Sequence, residues 1–397
     1  MKKIKLSTMM FLQYMMLAVW FVPMLPYVQG LQGGKDWAVW CGLIMGFGTF
    51  SSPLIGMIAD RFFNAERVLA ASNLAGAALL AGAFFVTSPS LLFVIMLAAM
   101  CFYMPTWSLT AAIAMANTST EEYSRIRVLG TVGWVASGVF SVIGAKCFGV
   151  TDFDSTRWIF AAGSGVSAVG GLLAFFLPPT APAQKGQPMS VVDALGLRAL
   201  VLLKNREFRD FVIVLLLAMI PFQWYNVYCA AYLKESGFRY LTVTMNLGQA
   251  GEIGFMLLVP LIIRKVGYLH GLVIALVFLA FRYACFSLSV AFGVSAFDFG
   301  GILVHGLIFG LFIVGAQMFV NDHAPRELRN QAQGLVNLVT AGVGVFASNM
   351  IFDVIIVRSH ASGDGFGWAF LSAFLLSVAV MVLALMLGLG RAGPRRP

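Results

Sequence analysis

Residues 366–389 read FGWAFLSAFLLSVAVMVLALMLGL, a continuous apolar stretch without a charged side chain. A helix needs about 20 such residues to cross the roughly 30 Å hydrocarbon core of a bilayer. A strand of a membrane barrel would instead show short segments of alternating polarity. The stretch therefore predicts a membrane-spanning helix.

Runs of this kind recur along the whole chain, in which 60% of the residues are hydrophobic and 11% are charged. A water-soluble protein of 397 residues needs a larger polar share to cover its surface. We predict an all-α membrane protein with twelve transmembrane helices. Their approximate ranges are 6–28, 37–59, 68–88, 90–115, 128–149, 156–178, 208–233, 241–264, 268–291, 293–320, 331–357 and 366–389.

The basic residues orient these spans. Of the 26 Lys and Arg residues, 19 fall on the side of the amino terminus, 6 fall on the opposite side, and Arg282 falls within a span. Because basic residues concentrate on the cytoplasmic side, both termini are predicted to be cytoplasmic. The same placement explains the formal net charge of +9, so we expect membrane lipid rather than nucleic acid as the surrounding partner. The first apolar run is too long for a signal-peptide core, and no cleavable signal is expected.

The longest polar segment, 179–207, divides the chain into two halves. We predict an amino-terminal six-helix bundle over 1–178, a cytoplasmic linker over 179–207, and a carboxy-terminal six-helix bundle over 208–397 that ends in a short basic cytoplasmic tail. Two six-helix halves joined in this way are the arrangement of the major facilitator fold.

A short motif after the second span fits this arrangement. Gly56, Asp60 and Arg61 match the cytoplasmic G-x-x-x-D-R signature of the major facilitator superfamily. A carboxylate and a guanidinium at a helix end can lock neighbouring helices in one state and release them in another. We therefore expect Asp60 and Arg61 to act in gating. The alternative is a solvated turn with ordinary charges.

Polar side chains at membrane depth are costly and are candidates for function. They are Arg127, Thr131, Gln223, Asn226, Gln249, Glu252, Arg282, His305 and Gln317. Gln223 with Asn226, and Gln249 with Glu252, are three residues apart, so each pair shares one helical face. Trp224 and Tyr225 stand beside the first pair and favour a ligand surface.

Each candidate has a structural alternative. Glu252 is expected to bind substrate or protons because Gly248 and Gly251 leave space around it, but it could also tie its helix to Arg282. For the two amides of the seventh span the alternative is interhelical hydrogen bonding. Arg282 favours the helix-tying role, and His305 fits a bridge between helices as well as a proton carrier.

Arg127 could be only the first basic residue of its span. Asp298 and Asp353 fall near the outer ends of spans, where we expect water to reach them and assign no function.

This set of residues suits a neutral small molecule rich in hydroxyl or amide groups. Amides and a carboxylate donate and accept hydrogen bonds, and aromatic side chains offer flat faces to a ring. A buried carboxylate such as Glu252 can hold a proton near neutral pH because burial disfavours its charged form. The chain has no P-loop motif and no metal-ligand spacing among its cysteines. We expect no enzymatic activity, no cofactor and no metal, with a proton gradient as the energy source.

Several short strings then resemble one family, the nucleoside:proton symporters of the major facilitator superfamily, over essentially the whole chain. They are Phe11-Leu12-Gln13-Tyr14, Gly56–Arg61, Tyr103-Met104-Pro105-Thr106, Arg127-x-x-Gly130-Thr131-x-Gly133-Trp134, Gln223-x-x-Asn226, Gln249-x-x-Glu252, Arg282 and Arg329-x-x-Ala332-Gln333-Gly334. The resemblance implies import of nucleosides across a bacterial inner membrane by proton symport and alternating access. The chain is expected to work as a monomer.

The resemblance also implies roles for individual residues. Substrate-binding roles fall to Arg127, Thr131, Trp134, Gln223, Asn226, Gln249, Glu252, His305 and Phe309. Proton coupling falls to Glu252, Arg282 and His305. In the tenth span the family reads aromatic-Gly-x-x-Phe-Asp, whereas this chain has His305 in place of the aromatic residue and Gly310 in place of the aspartate. If that aspartate pairs with the arginine equivalent to Arg282, then Arg282 lacks its usual partner here.

Two other functions stay open from the sequence. One is a sugar or glycoside symporter on the same fold, with His305 and Glu252 handling protons. The other is a membrane sensor that binds a ligand without transporting it. The topology does not set the direction of net transport, since only the gradients do.

Overall fold

The computed structural model describes residues 2–149, 153–183, 185–186, 197–238 and 241–388, whose regular structure is entirely helical. The all-α prediction is confirmed for these residues. Most of the predicted linker, at 184 and 187–196, and the basic tail with Arg391, Arg395 and Arg396 lie outside the described residues.

The α-helices up to the linker are α1 (Lys2–Gly30), α2 (Gly34–Thr49), α3 (Ser52–Arg61), α4 (Ala65–Ala83), α5 (Pro89–Asn117), α6 (Thr120–Ala136), α7 (Val139–Phe148) and α8 (Trp158–Ala174). Those after it are α9 (Arg206–Glu235), α10 (Leu241–Val266), α11 (Tyr268–Phe292), α12 (Ala296–Leu303), α13 (His305–Phe309), α14 (Gly315–His323), α15 (Arg329–Asn337), α16 (Gly344–Ala361) and α17 (Gly367–Met386).

In the described part of the chain, ten helical segments are long and apolar enough to cross a membrane. They are Lys2–Gly30, Trp40–Arg61, Pro89–Asn117, Glu122–Gly144, Arg206–Cys229, Leu247–Val266, Tyr268–Phe292, Ala296–His323, Arg326–Ala361 and Gly367–Met386. The other two predicted spans, 68–88 and 156–178, overlap α4 and the shorter apolar α8. The count of twelve spans stays a prediction.

Two of the long segments contain a π-helical stretch. Gly310–Val314 separates α13 from α14, and Leu338–Val343 separates α15 from α16. A π-helix widens the backbone by one residue per turn and often occurs beside functional residues. The first of the two stretches begins at Gly310, directly after the tenth-span residues that were predicted to bind substrate.

The Cα positions group into two compact units. Unit 1 contains Met1–Leu200 and Ala324–Gly342, and unit 2 contains Val201–His323 and Val343–Pro397. The division at Leu200 falls within the predicted linker. The segment Ala324–Gly342, which carries α15, packs with α3 and α5 in unit 1, although the sequence placed it in the second half. The predicted domain boundaries stay a prediction.

Glycines set the helix contacts of unit 1. A Cβ at Gly133 of α6 would lie 2.0 Å from the backbone oxygen of Phe11 in α1, and a Cβ at Gly130 would lie 2.7 Å from the Tyr14 ring. A Cβ at Gly163 of α8 would lie 2.8 Å from Trp20 on another side of α1. Small residues let helix backbones approach closely where no hydrophobic force joins helices in lipid. The glycines of the fifth-span motif therefore bring α6 against α1.

Aromatic side chains fill the core of unit 2. Trp224 of α9 has no exposed surface and packs against Tyr283, Phe352 and Phe370, with its ring centroid 4.7 Å from that of Phe370. The expectation that Trp224 belongs to a ligand surface is therefore wrong. Its side chain points away from the face that carries the two amides and holds α9 to α11, α16 and α17.

We expect Gly133→Ala to destabilise the protein by about 1–3 kcal/mol, because the added methyl group would meet the backbone oxygen of Phe11. Gly76 is the matched control, since a Cβ there has open space within 4 Å in the same kind of helix interior. Gly76→Ala should be neutral or stabilise by roughly 0.5–1 kcal/mol. Thermal unfolding of the two purified variants measures both changes, and equal melting temperatures would contradict the packing.

Candidate functional site

Arg282 is the most deeply buried charge of unit 2, with no exposed surface. Its Nε–H donates to the Gly301 oxygen at 3.1 Å, and its Nη2 lies 3.1 Å from His305 Nδ1. Its Cζ atom lies 4.2 Å above the centre of the Tyr225 ring. A buried charge is tolerated only when it is well solvated by the protein. A carbonyl, an imidazole and an aromatic face provide that solvation here.

His305 lies between two aromatic rings of α9. Its ring stacks on Tyr225 at 4.8 Å and on Phe222 at 6.1 Å between centroids, and the residue is 6% exposed. An arginine has no acceptor, so the short contact with Arg282 requires Nδ1 to accept and places the proton of the neutral ring on Nε2. A second positive charge on this imidazole would face the guanidinium directly. The ring thus provides a hydrogen-bond acceptor where the family has an aromatic residue.

Glu252 is buried at the contact between α10 and the tenth-span helices. A Cβ at Gly306 would lie 2.2 Å from Glu252 Cα, so the two backbones touch at this point. The sequence suggested that Gly248 and Gly251 clear space for a ligand. The structure instead fills that space with the backbone oxygens of Ile302 and Leu303, at 2.9 and 3.2 Å from the respective Cβ positions. These glycines hold Glu252 in the same layer as His305.

The two amides of the seventh span form a pair, as their spacing predicted. Asn226 Nδ2 donates to Gln223 Oε1 at 2.9 Å. Gln223 is half-buried, Asn226 is exposed, and Gln249 of α10 is half-buried. The half-buried Phe309 lies beside His305, with ring centroids 6.1 Å apart. Unit 2 therefore combines accessible amide groups with aromatic faces next to the buried layer of Glu252, His305 and Arg282.

Gly310 occupies the position of the family aspartate, and the structure gives a physical reason for the change. A Cβ at Gly310 would lie 2.7 Å from Val259 Cγ2 of α10. A carboxylate at this position would therefore point into an apolar helix contact. The Arg282 guanidinium is met by His305 Nδ1 and the Gly301 oxygen.

Asp298 contradicts its predicted contact with water. It is 1% exposed, and its two carboxylate oxygens accept from Tyr232 Oη at 2.7 Å and from Ser289 Oγ at 2.8 Å. It lies in the first turn of α12, and α9 and α11 cover it. Sequence position suggested a span end, but it did not show that two neighbouring helices extend past this residue.

In unit 1, Arg127 is also buried against a tyrosine. Its Cζ atom lies 4.0 Å from the centre of the Tyr14 ring, and the Tyr14 ring stacks on Trp107 at 5.7 Å. The residue is 2% exposed, so it is more than a basic residue at a membrane boundary. Thr131, one turn further on, is 5% exposed, and Trp134 is half-buried against the core of unit 1.

A buried network that the sequence did not assign links α1, α4 and α5. Gln13 Nε2 donates to Thr106 Oγ1 at 2.5 Å, and Asn73 Nδ2 donates to Gln13 Oε1 at 3.1 Å. Tyr103 Oη donates to the Gln13 backbone oxygen at 2.7 Å and accepts from Trp107 Nε1 at 3.0 Å. Two of the strings that carry the family resemblance, Phe11–Tyr14 and Tyr103–Thr106, meet in this network. It fixes the helix that positions Tyr14 under Arg127.

The proposed gating residue Asp60 caps the start of α15. Its Oδ1 accepts from Asn330 Nδ2 at 2.5 Å, and its Oδ2 accepts from the Gln331 backbone N–H at 3.0 Å. A carboxylate at a helix start satisfies free N–H groups and interacts favourably with the helix dipole. Asp60 has no exposed surface, so the alternative of a solvated turn is wrong.

Two glycines allow this contact. A Cβ at Gly56 of α3 would lie 2.9 Å from the Asn330 oxygen, and a Cβ at Gly334 of α15 would lie 2.8 Å from the Ser52 oxygen. Asn337 extends the contact by donating to Ser52 Oγ at 3.1 Å and to the Met104 oxygen at 2.8 Å. The motif around Asp60 and the motif around Gly334 are therefore the two sides of one contact in unit 1.

Comparison with known proteins gives consistent results along the chain. The family model described as Nucleoside H+ symporter matches residues 1–391. The Escherichia coli (strain K12) protein YegT is 35% identical over 396 residues, which cover 96% of this chain and 92% of YegT. Nucleoside permease NupG of the same organism is 26% identical over 375 residues, which cover 88% of this chain and 86% of NupG.

Solved structures agree on the fold. The crystal structure of nucleoside transporter NupG superposes with a TM-score of 0.66 at 23% identity, covering 98% of this chain and 99% of that one. The major facilitator superfamily proton:xylose symporter XylE superposes with a TM-score of 0.72 at 10% identity, covering 97% of this chain and 95% of that one. The chain has the helical fold of major facilitator transporters.

We expect Asp60→Asn to slow transport, because an amide at this position removes the negative charge at the α15 start and turns one acceptor into a donor that faces Asn330 or the Gln331 N–H. The loss is about 1–2 kcal/mol of cap stabilisation. The measurement is the initial uptake rate in vesicles together with ligand affinity in detergent, and affinity should stay unchanged. The control is Asp36→Asn, at an exposed carboxylate in the first turn of α2. An uptake rate equal to that of the control would contradict a gating role.

Proposed function

We propose a transport activity on one premise: this chain belongs to the nucleoside H⁺ symporter family, a family of transporters rather than enzymes. The protein imports nucleosides with protons and alternates access between the two sides of a bacterial inner membrane. It does so as a monomer of twelve spans with both termini in the cytoplasm. It requires no cofactor, because the proton gradient supplies the energy.

The observation that carries this proposal is the buried layer of unit 2. Glu252, His305 and Arg282 are each 6% exposed or less, and two amides with accessible surface stand on the neighbouring helix face. Ionisable groups at this depth are costly and persist where they handle a substrate or an ion. Structural polar contacts alone would not require an accessible amide pair next to them.

Substrate recognition in unit 2 would use the amides and the aromatic faces. Gln223, Asn226 and Gln249 present donors and acceptors that match the hydroxyl groups of a ribose and the edge of a base. Phe309 and His305 offer flat faces on which a base can stack. In unit 1 the family resemblance assigns the same task to Arg127, Thr131 and Trp134, and the Tyr14 ring holds the first of these in place.

Proton coupling would depend on Glu252. Because burial disfavours its carboxylate form, a proton or a substrate hydroxyl that reaches it is bound favourably. Arg282 keeps a permanent positive charge in the same layer, and His305 accepts from it only while Nδ1 carries no proton. Protonation of the imidazole would break this hydrogen bond and bring two positive charges together. Each change of protonation therefore alters the contacts between α9, α11 and α13.

The function is tested by uptake of labelled uridine and adenosine into proteoliposomes with and without a proton gradient directed inward. We expect accumulation above the outside concentration only with the gradient. Uptake that merely equilibrates would contradict proton coupling. No uptake of either nucleoside, with transport of free sugars or glycosides in the same vesicles, would contradict the substrate class.

We expect Glu252→Gln to abolish accumulation and to spare exchange of labelled for unlabelled nucleoside, since exchange needs no net proton movement. The amide keeps the shape and one acceptor of the carboxyl group. Glu235→Gln is the control, because this carboxylate is exposed and its contact with His360 is a surface interaction. Accumulation by the Glu252 variant at the level of the control would show that protons travel elsewhere.

We expect Gln223→Ala and Asn226→Ala each to weaken nucleoside binding by about 1–3 kcal/mol, the cost of losing a hydrogen bond in a shielded site. The two effects should not add, since the amides bond to each other. Val227→Ala, at an exposed position of the same helix, is the control. Equilibrium binding in detergent provides the measurement, and unchanged affinity in both amide variants would place the substrate on another face.

A further inference from the structure

Unit 2 holds a second polar layer that the proposed function does not use. It consists of Asp298 with its two donors, Tyr232 of α9 and Ser289 of α11. We call this set the Asp298 layer, and we call Tyr225, Arg282 and His305 the Arg282 layer.

The two layers repeat on the same three helices with one spacing. Tyr232 follows Tyr225 by seven residues on α9, and Ser289 follows Arg282 by seven residues on α11. Asp298 precedes His305 by seven residues on the helical segment Ala296–His323, which runs in the opposite direction along the chain. Seven residues are two helical turns, or roughly 10 Å, so each residue lies above its counterpart on the same face.

The Asp298 layer is closed to solvent but ends close to it. Asp298 is 1% exposed and Tyr232 is 4% exposed, and the rings of Phe286 and Phe370 cover Tyr232 at 5.8 and 4.6 Å. The connection 293–295, just before α12, is exposed. A proton that enters near this connection reaches Asp298 before it reaches the Arg282 layer.

The hydrogen bonds around Asp298 suit both protonation states. Tyr and Ser hydroxyls donate to a carboxylate, and each can rotate to accept from a protonated carboxyl group. A cation in this place would hold the carboxylate in its charged form, but both observed partners are neutral hydroxyls. The site can therefore take up and release a proton without losing its hydrogen bonds.

The other ionisable groups on the packed helices are few. Cys229 of α9 and Cys285 of α11 lie within electrostatic range of Asp298. Arg282 lies two turns away on α11, His305 lies two turns away on the same helical segment, and Glu252 lies on α10 beside Gly306. The Arg282 layer is thus the site of permanent positive charge nearest to Asp298 on these helices.

We propose that Asp298 is a proton-binding residue of the transport cycle, which exchanges protons between the exposed connection 293–295 and the Arg282 layer. This rests on the proposed function, because it assigns a further carboxyl group to the same proton coupling. It also accounts for coupling in a chain that has Gly310 where its family has an aspartate. A purely structural Asp298 would need only to accept two hydrogen bonds, which an asparagine can also do in part.

The test compares Asp298→Asn with the wild type in proteoliposomes at a series of fixed pH values. We expect the variant to keep nucleoside exchange within about twofold and to lose at least tenfold in gradient-driven accumulation. Asp353→Asn, at an exposed carboxylate of α16, is the control and should behave as the wild type. Accumulation by Asp298→Asn at the control level would overturn the proposal, as would equal losses of exchange and accumulation.

A second pair of variants keeps the test decisive if Asp298→Asn does not fold. Tyr232→Phe and Ser289→Ala each remove one donor to the carboxylate, so the carboxyl group holds its proton to higher pH. The pH midpoint of uptake should therefore move upward in both. A midpoint that stays at the wild-type value in both variants would overturn the proposal.

The same experiment separates this inference from the proposed function. A wild-type protein that does not accumulate nucleoside in a gradient overturns both. A wild-type protein that accumulates nucleoside, together with an Asp298→Asn variant that does so equally well, leaves the proposed function intact and overturns the role of Asp298 alone.

Discussion

The buried guanidinium of Arg282 is the constraint on which the arrangement of unit 2 depends. A permanent charge without exposed surface requires fixed dipoles and polarisable groups around it, and it obtains them from Gly301, His305 and Tyr225. Those contacts in turn fix α9, α11 and the tenth-span helices in one register. Unit 1 has a similar element in Arg127 over the Tyr14 ring. In each unit a tyrosine face stabilises a buried arginine on a helix that the family motifs mark.

Close glycine contacts make these polar layers geometrically feasible. Gly306 lets the tenth-span backbone touch α10 at Glu252, and Gly133 lets α6 touch α1 beside Arg127. Gly56 and Gly334 do the same where Asp60 caps α15. Several motifs that suggest chemistry in the sequence are thus partly packing motifs, in which the glycines position the neighbouring ionisable side chain.

The helices and the family could be predicted from the sequence, because apolar length and motif order are local properties. Contacts over long separations could not, and Asp60 meets Gln331 at a distance of 271 residues along the chain. Asp298 was misjudged because its burial comes from Tyr232 and Ser289 on other helices. Trp224 was misjudged for the same reason, since helical spacing alone does not tell a ligand surface from an aromatic core. The predicted site residues themselves stay predictions, now with defined neighbours.

The account makes one central claim, that nucleoside entry and proton entry are a single process governed by buried carboxyl groups of unit 2. The most direct measurement is the internal pH of weakly buffered proteoliposomes, followed with a trapped dye after nucleoside is added outside without any imposed proton gradient. The account predicts that uridine or adenosine acidifies the interior in step with its own uptake. Nucleoside uptake at the same rate with no change in internal pH would contradict it.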